Sequence, residues 1–122
     1  MGAWGYRYFE NDDAADWFHT FWESKDWEFL KKTVLNFSDE EGMYDEIRAA
    51  AHVLISFHSA YTAPSSTLDD LDLLQEKTLG ILRGMIDSEN EQSFFLEEWD
   101  YAEDVIADVQ HQISQLEAIV NR

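Results

Sequence analysis

The stretch WDYAEDVIADVQHQISQLEAIV, residues 99–120, decides the fold class. Its apolar side chains recur at alternating steps of three and four residues, at Trp99, Ala102, Ile106, Val109, Ile113, Leu116 and Val120. This heptad spacing is typical of a helix that packs along one face. We therefore predict one final helix of roughly 25 to 28 residues. A seam of that length requires two or more neighbouring helices or a second copy of the chain.

The remainder of the chain shows helical signals of the same kind. The single proline, Pro64, and the few glycines leave room for long helices with short connections. The first predicted helix begins near Asn11 or Asp12, and the second runs from about Asp26 to Phe37. The third follows a capping box at Ser38-Asp39-Glu40-Glu41 and extends as far as Tyr61. The fourth begins at Thr67, which pairs with Asp70 as a cap, and ends at Met85. Residues 1–11 form an irregular aromatic lead-in. We predict an all-α, single-domain bundle of about five helices over residues 1–122.

Composition excludes several classes of protein. The 122 residues contain no cysteine, which rules out disulfides, zinc–thiolate sites and thiol nucleophiles. The 26 acidic residues outnumber the 8 basic ones, so the formal net charge is −18. Such a chain is repelled by nucleic-acid phosphates and by anionic membranes, and we expect it to bind neither. No targeting signal or apolar span is apparent, so we expect a cytoplasmic protein.

The acidic residues are unevenly distributed. No lysine or arginine occurs between Gly84 and Asn121. Four acids of the last helix, Asp100, Glu103, Asp104 and Asp108, fall away from the heptad seam and should form one outer face, although like charges four residues apart destabilise a helix. The predicted partner-binding residues are these four together with Asp87, Glu89, Glu91, Glu97 and Glu98.

Two patterns suggest a metal site. Asp16 with His19, and Asp108 with His111, have the Asp-x-x-His spacing that places both side chains on one helix face, as in di-iron bundles. The segment from 87 to 98 places acids at positions 1, 3, 5 and 12 of a calcium-binding loop, but Gln92 stands where that loop needs glycine. An ordinary acidic connection and solvated histidines are the favoured interpretation. We assign no metal and no cofactor.

No catalytic motif is present. The sequence lacks a glycine-rich phosphate loop, a Gly-x-Ser-x-Gly elbow and a His-Glu-x-x-His pair. Carboxylates are so abundant that no particular pair stands out as an acid–base couple. We expect a protein that is not an enzyme.

The N-terminus resembles a known family. Met1-Gly2-Ala3-Trp4-Gly5, followed by Phe9-Glu10-Asn11-Asp12-Asp13-Ala14-Ala15-Asp16-Trp17, is similar to the opening of the small bacterial proteins grouped as domain of unknown function 4259. The resemblance implies a bacterial cytosolic protein with a mostly helical fold, and it brings no catalytic residues. From the residues themselves, Asn11-Asp12-Asp13 should cap the first helix.

The overall profile also resembles the small acidic immunity proteins of bacterial toxin systems. A nuclease site is positive because it holds phosphate, and a carboxylate-rich surface can occupy it or its rim. We therefore expect a binder of a basic protein, foremost an immunity protein that neutralises a toxic nuclease domain. Three alternatives stay open: a DNA-mimic or regulatory protein, a helical protein that binds calcium or iron, and a self-associating homodimer.

Overall fold

The computed structural model describes residues 5, 10–24, 27–58 and 68–121. Six helices occupy these residues: α1 (Asp12–Ser24), α2 (Trp27–Leu35), α3 (Met43–Ser56), α4 (Leu68–Met85), α5 (Phe95–Glu98) and α6 (Glu103–Val120). The prediction of an all-α bundle is confirmed. The predicted lead-in, apart from Gly5, Glu10 and Asn11, and the predicted proline loop lie outside the described residues.

The first helix begins where its capping residue predicts. The Asn11 side chain accepts a hydrogen bond from the amide of Ala14 at 2.7 Å, so it satisfies one of the unpaired donors of the first turn. Ala14 and Trp17 then turn inward, and both are buried. The Trp17 indole donates a hydrogen bond to the Thr33 hydroxyl at 2.9 Å, which joins α1 to α2.

Helix α3 is the centre of the bundle. It packs against α1, α2, α4 and α6. Because partners surround it, apolar residues cover nearly its whole circumference, and Ala49, Ala50 and Ala51 are all fully buried. Small side chains there allow the neighbouring helices to approach closely. The one basic residue of this helix, Arg48, is also fully buried.

Helices α1 and α3 point in the same direction. Asp13, in the first turn of α1, lies close enough to Asp45, in the first turn of α3, to raise the pKa of that carboxyl group. Further along both helices, the rings of Phe18 and His52 meet edge to face with centroids 5.9 Å apart. The N-termini of α1 and α3 therefore lie side by side.

Helix α6 follows the same direction. Arg48 contacts Asp108, and later in both helices Ser56 and Gln115 line a common cleft. The chain thus places the N-termini of α1, α3 and α6 at one end of the bundle. A helix N-terminus carries a partial positive charge, so three of them share that end.

The prediction of one final helix of roughly 25 to 28 residues is wrong. The chain leaves the helical path at Asp100 and Tyr101, whose φ angles of 52° and 55° lie in the left-handed region. Short α5 and the 18-residue α6 replace the single helix. The Tyr101 amide instead donates to the Leu96 carbonyl at 2.8 Å, which closes the turn. Periodicity alone missed this break because Trp99 and Ala102 keep the apolar spacing across it.

The buried stripe of α6 is also rotated relative to the predicted seam. Val109, Ile113 and Leu116 are buried as expected, but Val105 and Gln112 join them, while Ile106 is only half-buried. These side chains pack inside the bundle, against α3 and α4. The apolar face of α6 is therefore covered within one chain.

The predicted start and end of α3 are also wrong. The capping box of Ser38 and Glu41 does not form, since Gly42, with φ of 85°, precedes the first turn and makes no side-chain cap. The Ser38 amide and hydroxyl lie 3.4 Å from the Met43 sulfur instead. The helix ends at Ser56, and Tyr61 and Thr67 fall outside the described residues. Helix α2 ends at Leu35, two residues before the predicted Phe37, while Asp26 at its predicted start lies outside the described residues; α4 ends at Met85 as predicted.

Candidate functional site

Acidic side chains occupy the first turns of the three helices that begin at the same end. They are Asp12 and Asp13 of α1, Asp45 and Glu46 of α3, and Glu103 and Asp104 of α6. The positive helix ends favour carboxylates at these positions and offset part of their mutual repulsion. The parallel arrangement therefore allows this end to carry a density of negative charge that a single helix terminus could not.

A tyrosine holds two acidic connections at the same end. The hydroxyl of Tyr44, a residue that is almost fully buried, donates to the Asp39 carboxylate at 2.9 Å and accepts from the Phe94 amide at 3.1 Å. The connection before α3 and the connection before α5 are thereby fixed against the first turn of α3.

We call the resulting surface the acidic end. It consists of the first turns of α1, α3 and α6, the two connections and α5. Its exposed carboxylates are Asp12, Asp13, Glu40, Glu41, Asp87, Glu89, Glu91, Glu97, Asp100, Glu103 and Asp104.

Beneath this surface lie three less exposed carboxyl groups. Burial, opposed by Arg48 and reinforced by contact with Asp13, raises the pKa of Asp45 to about 6. Burial and then the charge of Asp13 raise the pKa of Glu46. Burial, followed by the charges of Asp45, Glu41 and Asp13, raises the pKa of Glu98. Residues far apart in sequence thus act on one another electrostatically at the acidic end.

Arg48 anchors the acidic end from within. Its Nη2 donates to Asp108 Oδ2 at 2.8 Å, and its Cζ lies 5.7 and 5.9 Å from the ring centres of Phe95 and Trp99. Burial lowers the pKa of Arg48, while Asp108 and then Asp45 oppose that shift. Because the guanidinium has no exposed surface, it contributes no accessible positive charge.

The structure separates the predicted partner-binding residues into two groups. Seven of the nine are exposed at the acidic end: Asp87, Glu89, Glu91, Glu97, Asp100, Glu103 and Asp104. Asp108 does not belong to the outer face, because its side chain is only 15% exposed and pairs with buried Arg48. Glu98 is half-buried, and its Oε2 is buried without a hydrogen-bond partner among the described residues.

Sequence reasoning missed the contribution of the first half of the chain. Asp12, Asp13, Glu40 and Glu41 are exposed beside the predicted residues, but their sequence context indicated only helix caps. The lone arginine within the apolar run of α3 was the available signal for Arg48. Its partner could not be inferred, since Asp108 lies 60 residues away.

The residues considered for metal binding do not converge. Asp16 and His19 are exposed on α1, where the His19 ring contacts Glu23 at 3.4 Å, and His111 is exposed on α6. Within the described residues, no group of three or more histidine, aspartate or glutamate side chains is arranged to hold a metal ion.

In the part of the chain that the structure describes, no helix is long and apolar enough to cross a bilayer.

These features define a small all-α domain whose carboxylates gather at one end around a buried arginine. A family model described as domain of unknown function (DUF4259) matches residues 2–115, which is most of the chain. The chain belongs to this family, and the resemblance seen at its N-terminus is confirmed over the domain. No curated protein and no solved structure matches the chain.

Proposed function

We propose that this protein binds a basic protein partner through the acidic end and thereby inhibits it. The observation that supports this proposal is the gathering of exposed carboxylates from both halves of the chain on one surface. The Arg48 guanidinium beneath this surface is buried against Asp108 and adds no accessible positive charge to it. Helix ends account for the acids of the first turns, but not for those of the connection before α5, such as Glu89 and Glu91.

The partner class we favour is a toxic nuclease domain, with this chain as its immunity protein. A surface that binds phosphate must be positive, so it is complementary to the acidic end. Long-range attraction would speed the encounter toward about 10⁸ M⁻¹s⁻¹ at low salt, as in other steered pairs. A chain of net charge −18 also repels nucleic acid, so the substrate of such a nuclease does not itself bind the inhibitor.

The test combines affinity capture with charge reversal. The wild-type chain serves as bait in a lysate of the source organism, and retained proteins are compared after washes at about 150 and 500 mM salt, since screening weakens exposed charge pairs. The first variant changes Glu97, Asp100, Glu103 and Asp104 to lysine. The matched control changes four other exposed acids to lysine, and these belong to α1 and α4: Asp16, Glu23, Asp72 and Glu76. Both variants alter the net charge equally, and circular dichroism checks that each is folded.

The expected result is one stoichiometric basic partner that is retained by the wild type and the control but lost with the acidic-end variant. Expression of that partner alone should harm cells, co-expression of the wild-type chain should rescue growth, and the acidic-end variant should not. Retention by both variants would overturn the proposal. A partner that binds DNA without cleaving it would favour the DNA-mimic alternative instead.

A further inference from the structure

A cleft separates α3 from α6 beyond the Arg48–Asp108 pair, toward the C-terminal halves of both helices. It encloses about 220 Å³ and is lined by His52, Ile55, Asp108, His111, Gln112 and Gln115 among others. This volume accommodates one long side chain. The cleft is distinct from the acidic end, which lies at the N-termini of these helices.

Gln112 gives the cleft its chemical preference. The residue is only 3% exposed, and its Nε2 donates to the Arg48 carbonyl at 2.9 Å. This bond fixes the orientation of the amide. The other end of the amide, Oε1, is buried and accepts no hydrogen bond from the residues that the structure describes. An unpaired buried acceptor is costly, so a ligand that completes this cleft must donate hydrogen bonds.

The charges around the cleft favour a cationic donor. The Asp108 carboxylate forms part of the wall, whereas the Arg48 guanidinium that pairs with it has no exposed surface and does not line the cleft. Burial lowers the pKa of His52, so that imidazole is neutral near pH 7 and adds no positive charge. A planar guanidinium fits these walls better than an ammonium, because it donates in several directions within one plane and stacks on imidazole rings. Ile55 offers an apolar surface for the hydrocarbon stem.

We propose that this cleft receives an arginine side chain of the basic protein partner, with the guanidinium donating to Gln112 Oε1 and to the Asp108 carboxylate. The identity of the arginine's source rests on the proposed function. The affinity of the cleft for a guanidinium does not, and it can be measured without any partner.

The first experiment titrates the full chain with N-acetyl-arginine amide and follows its resonances by NMR. Saturable shifts are expected at the His52 and His111 rings and at the Gln112 side-chain amide, with a dissociation constant of about 1 mM, as suits a single small side chain. The matching lysine derivative and the uncharged, isosteric citrulline derivative should bind at least fivefold more weakly. Shifts spread evenly over the acidic end, or equal binding of the three probes, would overturn the proposal.

Two exposed residues of the cleft wall provide variants that leave the core intact. His111→Ala and Gln115→Ala should each weaken binding of the arginine probe severalfold, whereas His19→Ala, an exposed histidine on α1, should not change it. The same two variants should release the captured partner at lower salt than the wild type does. If they bind the probe weakly yet hold the partner unchanged, the cleft does not dock the partner and this inference fails while the acidic-end proposal stands. If acidic-end reversal leaves capture intact, the proposed function fails, and the probe titration still decides the chemistry of the cleft.

Discussion

Arg48 and Asp108 form an ion pair across the α3–α6 interface, with Nη2 and Oδ2 2.8 Å apart although the two residues are 60 positions apart in the sequence. The arginine side chain is fully buried, while the aspartate keeps 15% of its side-chain surface. The pair therefore lies at the boundary between the core and the surface. It holds α6 in the orientation that exposes Glu103 and Asp104 and turns Asp108 inward.

Removal of the aspartate from this pair should be strongly destabilising. Asp108→Asn leaves the guanidinium buried without a full countercharge, and loss of one partner of a buried pair typically costs about 3 to 5 kcal/mol. Urea denaturation followed by circular dichroism measures the loss. Asp104→Asn, one turn earlier on α6 and exposed, is the matched control and should leave the midpoint nearly unchanged. Equal midpoints for the two variants would contradict the assigned role of the pair.

Stability should depend on pH through Asp45. Its pKa is raised to about 6 in the folded protein, above that of an aspartate in an unfolded chain, which is about 3.9. The folded state therefore binds the extra proton between these values, and this contribution to stability is complete below about pH 4 and is lost as the pH rises through 6.

Asp45→Asn should therefore raise the melting temperature at pH 7.5 and flatten the pH dependence between pH 4 and 7. The matched control is Asp72→Asn on α4, an exposed position with the same change of charge, and it should keep the wild-type slope. Differential scanning fluorimetry across this range makes the comparison. An unchanged slope in Asp45→Asn would show that another carboxyl group carries the effect.

The turn between α5 and α6 should tolerate glycine. Tyr101 has φ of 55° and is 56% exposed. The free-energy cost of a left-handed backbone conformation for a residue with a Cβ atom is therefore larger than the stabilisation that packing of this exposed side chain provides. Tyr101→Gly should be neutral or stabilising by up to about 1 kcal/mol. Ala107→Gly, at an exposed position within α6, should destabilise by about 1 kcal/mol, as expected for a helix interior. Similar losses in both variants would indicate one continuous helix through residue 101.

The tyrosine that joins the two acidic connections should matter through its hydroxyl. Tyr44→Phe leaves the Phe94 amide without its acceptor and should cost about 1 to 3 kcal/mol. Hydrogen exchange at the Phe94 amide should become faster. Tyr101→Phe serves as the control, since its hydroxyl is on an exposed side chain. Unchanged exchange at Phe94 in Tyr44→Phe would remove the proposed link between the connections.

The sequence predicted most of the local structure. The cap at Asn11 and the end of α4 at Met85 follow from side-chain chemistry and apolar spacing within a few residues. Two of the boundary errors, at the start of α3 and at the break before α6, have a common cause. Gly42, Asp100 and Tyr101 adopt left-handed φ angles, and nothing in the spacing of apolar residues reports on a backbone angle.

The candidate site was predictable only in part. The base-free stretch identified the exposed acids of α5 and α6, because net charge along a chain can be counted directly. The inward orientation of the Asp108 side chain could not be inferred. A heptad pattern leaves the rotation of a helix about its axis uncertain by about one residue, and a shift of that size moves Asp108 between the surface and the interior.

The sequence by itself determined the fold class, the absence of thiol chemistry and the strong negative charge, because these follow from composition and local periodicity. Only the tertiary structure decided that α1, α3 and α6 begin at one end, that the acids of both halves of the chain meet there, and that Arg48 forms a buried ion pair with Asp108. These are relations between distant segments. They are set by which helices surround α3 and in which direction each one runs, and no local pattern contains that information.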